Sequence, residues 1–220
     1  MKIMNRRSAL LGVAALAFAP QAFAQATPAQ VTPALLQGSA RVQAISQANT
    51  VLNGVQRLQG RFVQQSPGGQ RAGGMFYMQR PGKLRFQYDP PATMLIVSDG
   101  SMVAMRDTAL RTTERTPLAS TPLNIILRRS VNLERDARVL RVSRAGPWLM
   151  LTMRDRSGQT DGQITLQFYG DQAELRSWDV IDATGARTRI SLSDVTQPSA
   201  LDPALFQLPD VVPGNRHRPH

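Results

Sequence analysis

Ile164-Thr165-Leu166-Gln167-Phe168-Tyr169 alternates apolar and polar side chains without a break. Successive side chains of a strand point to opposite faces, so this run predicts a strand with one apolar face and one polar face. The same pattern recurs on both sides of it. Gly170-Asp171 turns the chain into a strand at 174–182, and Thr184-Gly185 turns it into another at 187–195. Upstream, Ser157-Gly158 separates the run from a strand at 148–154, and Gly146-Pro147 separates that from 139–144. Further back lie 61–65, 74–79, 84–88, 94–98, 102–106 and 109–115, divided by Ser66-Pro67-Gly68-Gly69, Pro81-Gly82, Pro90-Pro91 and the hairpin pair Asp99-Gly100. Gly, Pro, Asp and Ser supply the backbone geometries that tight turns need. About eleven antiparallel strands follow, and a sheet that long tends to curl. The predicted fold class is α+β: a strongly curved antiparallel sheet, an incomplete barrel, with helices covering its concave apolar face.

Two helical interruptions are predicted. Val42, Ile45, Ala48, Leu52 and Val55 recur three or four apart between polar residues, which gives an amphipathic helix at 42–53 stopped by Asn53-Gly54. Thr121-Pro122-Leu123-Asn124-Ile125-Ile126-Leu127 places a Thr N-cap before a first-turn proline, the start of a short apolar helix. Residues 131–136 extend it irregularly.

The first residues predict export. Lys2, Arg6 and Arg7 precede an apolar run at 9–19, and Ala22-Phe23-Ala24 has the small residues a signal peptidase reads. Eleven residues are too few to cross roughly 30 Å of hydrocarbon. The expected organisation is a signal peptide at 1–24, a flexible Ala/Pro/Gln/Thr-rich leader at 25–40, one domain at 41–210 and a basic tail at 211–220. Arg6-Arg7 leaves the Sec and twin-arginine routes both open. Loss of Lys2, Arg6 and Arg7 with no acid lowers the net charge from +11 to +8.

Composition removes whole classes of chemistry. The chain has no cysteine, which excludes disulfides, thiolate metal sites, cysteine nucleophiles and a lipid-anchoring cysteine. Its two histidines, His217 and His220, lie in the tail, so a Ser-His-Asp triad or a histidine zinc site lacks its parts. No cofactor or metal is expected. Arginine supplies 24 of the 26 cationic residues, scattered along the chain with few aromatics and no phosphate loop. That argues against nucleic acid; the charge reads first as a composition bias towards arginine on solvated faces, with attraction to anionic membrane surfaces as the functional alternative. A carboxylate-dependent hydrolase remains as an alternative if two of Asp89, Asp99 and Asp107 pair across strands, although Asp99-Gly100 is better explained by hairpin geometry.

Several motifs together resemble the LolA family of lipoprotein carriers. They are Gly60-Arg61-Phe62-Val63-Gln64-Gln65, Gly74-Met75-Phe76-Tyr77-Met78-Gln79-Arg80-Pro81-Gly82-Lys83-Leu84-Arg85-Phe86, and Ile96-Val97-Ser98-Asp99-Gly100. The 121–127 stretch is similar to the family's lid helix, and Asp202-Pro203-Ala204-Leu205-Phe206-Gln207-Leu208-Pro209 to its ending. The resemblance runs from about residue 42 to 209. It implies a monomeric, non-enzymatic periplasmic carrier that takes acylated lipoproteins released by an inner-membrane ABC transporter to an outer-membrane receptor, or to the outer membrane itself. It further implies that Arg80, before Pro81, latches the lid through backbone carbonyls, and that Phe86, Leu123 and Ile126 line the acyl-chain cavity. Phe86 stands where the family often has tryptophan. A carrier of another amphiphile, such as a glycolipid, and a protein-binding stress sensor on a similar part-barrel are the alternatives on the same fold.

Overall fold

The computed structural model describes residues 32–156 and 162–210. The export segment, the first part of the leader and the 211–220 tail lie outside the described residues. After a two-residue strand β1 (Ala34–Leu35) comes helix α1 (Gly38–Gly54). Six strands follow: β2 (Arg57–Gln65), β3 (Arg71–Gln79), β4 (Lys83–Tyr88), β5 (Met94–Asp99), β6 (Met102–Asp107) and β7 (Thr112–Pro117). A 3-10 turn (Leu118–Ser120) and two one-turn helices, α2 (Asn124–Leu127) and α3 (Leu133–Asp136), interrupt the meander. It resumes as β8 (Ala137–Ala145), β9 (Trp148–Asp155), β10 (Gln163–Tyr169), β11 (Glu174–Ile181) and β12 (Arg187–Thr196), and a 3-10 turn (Pro203–Phe206) closes the described chain.

All the strands form one antiparallel sheet in the order β1-β8-β9-β10-β11-β12-β2-β3-β4-β5-β6-β7. β12 pairs with β2, which joins the two meanders through the middle of the sheet. The sheet has twelve strands rather than eleven, and it is neither closed nor strongly curled, so the expected part-barrel is corrected to an open sheet. Closure requires the two edges to meet. One edge is held by β1, only two residues long, and the other is β7, whose Thr, Glu, Arg and Pro side chains are the kind that blunt an edge. The extra strand comes from the segment expected to be a flexible leader. Ala34 and Leu35 pair with Arg144 and Ser143, and α1 already begins at Gly38.

Alternation sorts the two faces. Leu151, Leu166, Trp178 and Ile190 are register partners across β9–β12, and all are buried. They join Ala44, Ile45, Ala48 and Leu52 of α1 and Ile125, Ile126 and Leu127 of α2 in one core. Of the apolar spacing seen in the sequence, helix α1 buries Ile45, Ala48 and Leu52, joined by Ala44, whereas Val42 is 58% exposed and Val55 lies past the end of the helix. Thr121 does not cap α2; its hydroxyl donates to Leu118 O at 2.9 Å.

The opposite face carries the register row Thr152, Thr165, Asp179, Arg189 and Gln65. Asp179 is 3% exposed there and accepts from Gln167 at 2.7 Å, Arg187 at 2.5 Å and Arg189 at 2.7 Å. Burial pushes its carboxyl up, but the bonds and charges of Arg189 and Arg187 outweigh that and hold it below the ordinary value. A depressed folded-state pKa gives stability that is present above the unfolded value, about 3.9, and is lost as pH falls through the folded one. Asp179→Asn is expected to cost about 1–2 kcal/mol at neutral pH, at the low end because both arginines are partly in water. Urea titrations of both proteins at pH 7 and near pH 2 check this: the gap should shrink in acid, and a constant gap removes the charge from the explanation.

Candidate functional site

A cavity of about 490 Å³ lies between the helices and the apolar face of the sheet. That volume is in the range of pockets that enclose small organic ligands. Val51 and Leu52 of α1, with Val55 just past its end, form one side, Leu123, Ile126 and Leu127 another, and Phe76, Met78, Leu84 and Trp178 of the sheet the floor. Gln172, Glu174, Arg176 and Gln197 supply the polar part of the lining, with Arg176 and Glu174 paired at 2.5 Å. Most of the wall is apolar, with the polar groups few, a lining suited to hydrocarbon.

Arg80 is the buried cation of this lining, 7% exposed. It opens the turn between β3 and β4. Its Nη1 donates to Leu52 O, one of the last carbonyls of α1, where the helix dipole favours a cation. Its Nε is buried without a partner, and burial lowers the guanidinium to about 10, so it remains charged at neutral pH. The backbone of the same turn reaches α2 alone: Gly82 N donates to Leu127 O at 2.8 Å, while Arg80 N donates to Gln56 O at 2.9 Å, past the end of α1 and next to the paired Arg57 and Gln79 of β2 and β3. The bond to α2 therefore comes from the backbone of Gly82, and the side chain of Arg80 goes to α1. Gly82 has φ of +73°, and a Cβ there would sit 2.5 Å from the Cα of Gly100. Only glycine fits where the turn crosses the β5–β6 hairpin.

Leu123 and Ile126 line the cavity. Phe86 does not. It packs beside the lining, 5.2 Å from the ring of Phe76 and 6.3 Å from that of Trp178, with Phe62 at 4.9 Å on its other side. Asp89, Asp99 and Asp107 are not brought together. Asp89 pairs with Arg61, Asp99 accepts from Ser101 and Met102 N–H, and Asp107 accepts from Ala109 and Leu110 N–H.

Sequence reading missed the clasp that holds α1 to Val131 and to the first residue of α3. Asn53 donates to Val131 O and accepts from Val131 N, both at 2.8 Å, and Asn49 accepts from Leu133 N at 2.9 Å. Two asparagines four apart lie on one face of a helix, which was the available signal.

The sequence profile described as outer membrane lipoprotein carrier protein LolA matches residues 53–209. An outer-membrane lipoprotein carrier protein of Methylococcus capsulatus is 32% identical over 144 residues, covering 63% of this chain and 67% of that one. One from Chromobacterium violaceum is 28% identical over 180 residues, covering 78% and 85%. Among solved structures, a LolA superfamily protein of Nitrosomonas europaea aligns at 11% identity with a TM-score of 0.45, over 76% of this chain and 96% of its own.

Proposed function

The chain belongs to the LolA family of outer membrane lipoprotein carrier proteins, and from that premise we propose how it works as such a carrier. The cavity takes the acyl chains of a lipoprotein, and Leu123 and Ile126 contact them directly. Phe86 stiffens the aromatic wall from beside it. The carrier works in the periplasm, reached through the signal at 1–24. It receives cargo from an inner-membrane ABC transporter and gives it up at the outer membrane, directly or through a receptor. Arg80 holds α1 closed over the cavity, and the neighbouring Gly82 holds α2.

The observation that carries this reading is an apolar cavity bounded by two helices that a single turn fastens. Each buried CH₂ is worth about 0.8 kcal/mol, so an acyl chain moves into such a cavity only if it replaces most of what the bilayer offered. A charged wall residue keeps binding from becoming irreversible.

The test is isolation of the protein from periplasm, followed by mass spectrometry of bound proteins and lipids. Acylated proteins are the expected cargo, and Ile126→Asp, which puts a carboxylate on the wall, should reduce them at least tenfold. Glycolipid as the main bound species would replace the lipoprotein reading, and unchanged loading of Ile126→Asp would move the binding site elsewhere.

A further inference from the structure

We propose that the solvent face of β8–β10 is a docking surface for an anionic phospholipid bilayer. The register sets Arg138 of β8 directly opposite Arg154 of β9. Like charges opposite each other weaken a strand pair, and neither arginine has an ion-pair partner among the described residues. Arg141, paired with Thr152, falls on the same face beyond a bulge. Asp155, the nearest acid on β9, pairs with the buried Ala137 and so belongs to the other face by alternation. The fold thus accepts three uncompensated guanidinium groups side by side, a cost that an external anion removes. Guanidinium forks match phosphate oxygens geometrically.

The apolar part of the same face decides the kind of anion. Leu140 occupies the bulge between the arginines and is 42% exposed. Trp148 and Tyr169, paired across β9 and β10, meet edge to face at 4.9 Å, and Tyr169 is also 42% exposed. Tryptophan and tyrosine favour the boundary between headgroups and hydrocarbon. The Trp–Tyr pair is six residues along β9 from the Arg–Arg pair, about 20 Å at strand rise. No single small anion spans that distance. A flat sheet of phosphates over acyl chains does, with the arginines on headgroups and the aromatic pair at the interface.

The docking goes beyond the carrier reading and needs no cargo to be tested. The mature protein is sedimented with vesicles of phosphatidylglycerol or of phosphatidylcholine, and Trp148 emission is followed against the constant signal of buried Trp178. Binding to phosphatidylglycerol alone is expected, with a blue shift, and with loss near 1 M salt, where screening acts within about 3 Å. Arg138→Gln/Arg141→Gln/Arg154→Gln should weaken it by about 100-fold, from roughly fivefold for each arginine near an anionic surface. The matched set Arg71→Gln/Arg111→Gln/Arg129→Gln, elsewhere on the molecule, should change it far less. Absence of binding at low salt overturns the proposal, as does equal loss in both triple variants, which would make net charge the cause. Either failure leaves cargo loading untouched.

Discussion

Replacing Arg80 by leucine is expected to leave lipoprotein loading intact and to slow its release to acceptor membranes by about ten- to a hundredfold. The substitution removes one hydrogen bond, from Nη1 to Leu52 O, worth about 1 kcal/mol. Leu52 O keeps a second donor in Val55 N at 3.4 Å, so it is not orphaned. Against that loss stands the removal of a buried cation whose Nε has no partner, which favours the folded state. The fold should survive with an unchanged or higher melting temperature. The cavity changes more: a leucine on its wall offers an acyl chain apolar surface worth about 1.5–3 kcal/mol, and each 1.4 kcal/mol is a factor of ten in dissociation. Tighter retention, not weaker loading, is therefore the dominant effect. Timed transfer of a purified lipoprotein from the variant to acceptor vesicles measures it. Arg80→Lys should fall between the two, since it keeps the charge and loses the planar fork. Transfer by Arg80→Leu at the unsubstituted rate would end the proposed role of the guanidinium.

Much of this fold was legible because strands and turns write locally. Ile164, Leu166 and Phe168 announce their face by alternation, and Asp99-Gly100 announces its hairpin; both are where the sequence places them. β1 was not legible, since Ala34 and Leu35 carry no period and become a strand only because β8 offers an edge. Nor was the openness of the sheet, which depends on whether β1 and β7 meet and not on either strand alone. At the site, Leu123 and Ile126 were named from the resemblance. Trp178 was within reach of period-two reasoning, as the cross-strand partner of Leu166. Phe86 was misplaced by one neighbour because cavity lining and core packing use the same side chains. Asp179, between Trp178 and Val180, reads as an ordinary outward polar residue until three donors are seen to converge on it.

Gly74→Ala should be the most damaging added methyl among the described glycines. Gly74 is paired with Phe62 inside the β2–β3 ladder and with Tyr88 in the last pair of the β3–β4 ladder. A Cβ there would stand 2.0 Å from Gln87 O and 2.8 Å from Tyr88 Cα. Those are backbone atoms, so no rotamer change relieves the contact; β3 and β4 must move apart and lose ladder bonds. Side-chain overpacking ordinarily costs about 1–3 kcal/mol, and a backbone clash in a central strand should exceed it. A cost of about 3 kcal/mol or more is a large part of the 5–15 kcal/mol typical of a domain, and corresponds to a drop on the order of 10 °C in melting temperature. Gly54→Ala is the control, because its Cβ would meet nothing within 4 Å, and it should be neutral or slightly stabilising. The loss also reaches the cavity. Phe62 and Tyr88, the two partners of Gly74, meet edge to face at 4.9 Å, and Phe62 supports Phe86, which backs Phe76 and Trp178 in the cavity floor. Spreading β3 from β4 opens that stack, so acyl-chain binding should weaken at temperatures where the variant is still folded. A variant with the melting temperature of the unsubstituted protein would mean that the β3–β4 spacing is not what admits only glycine.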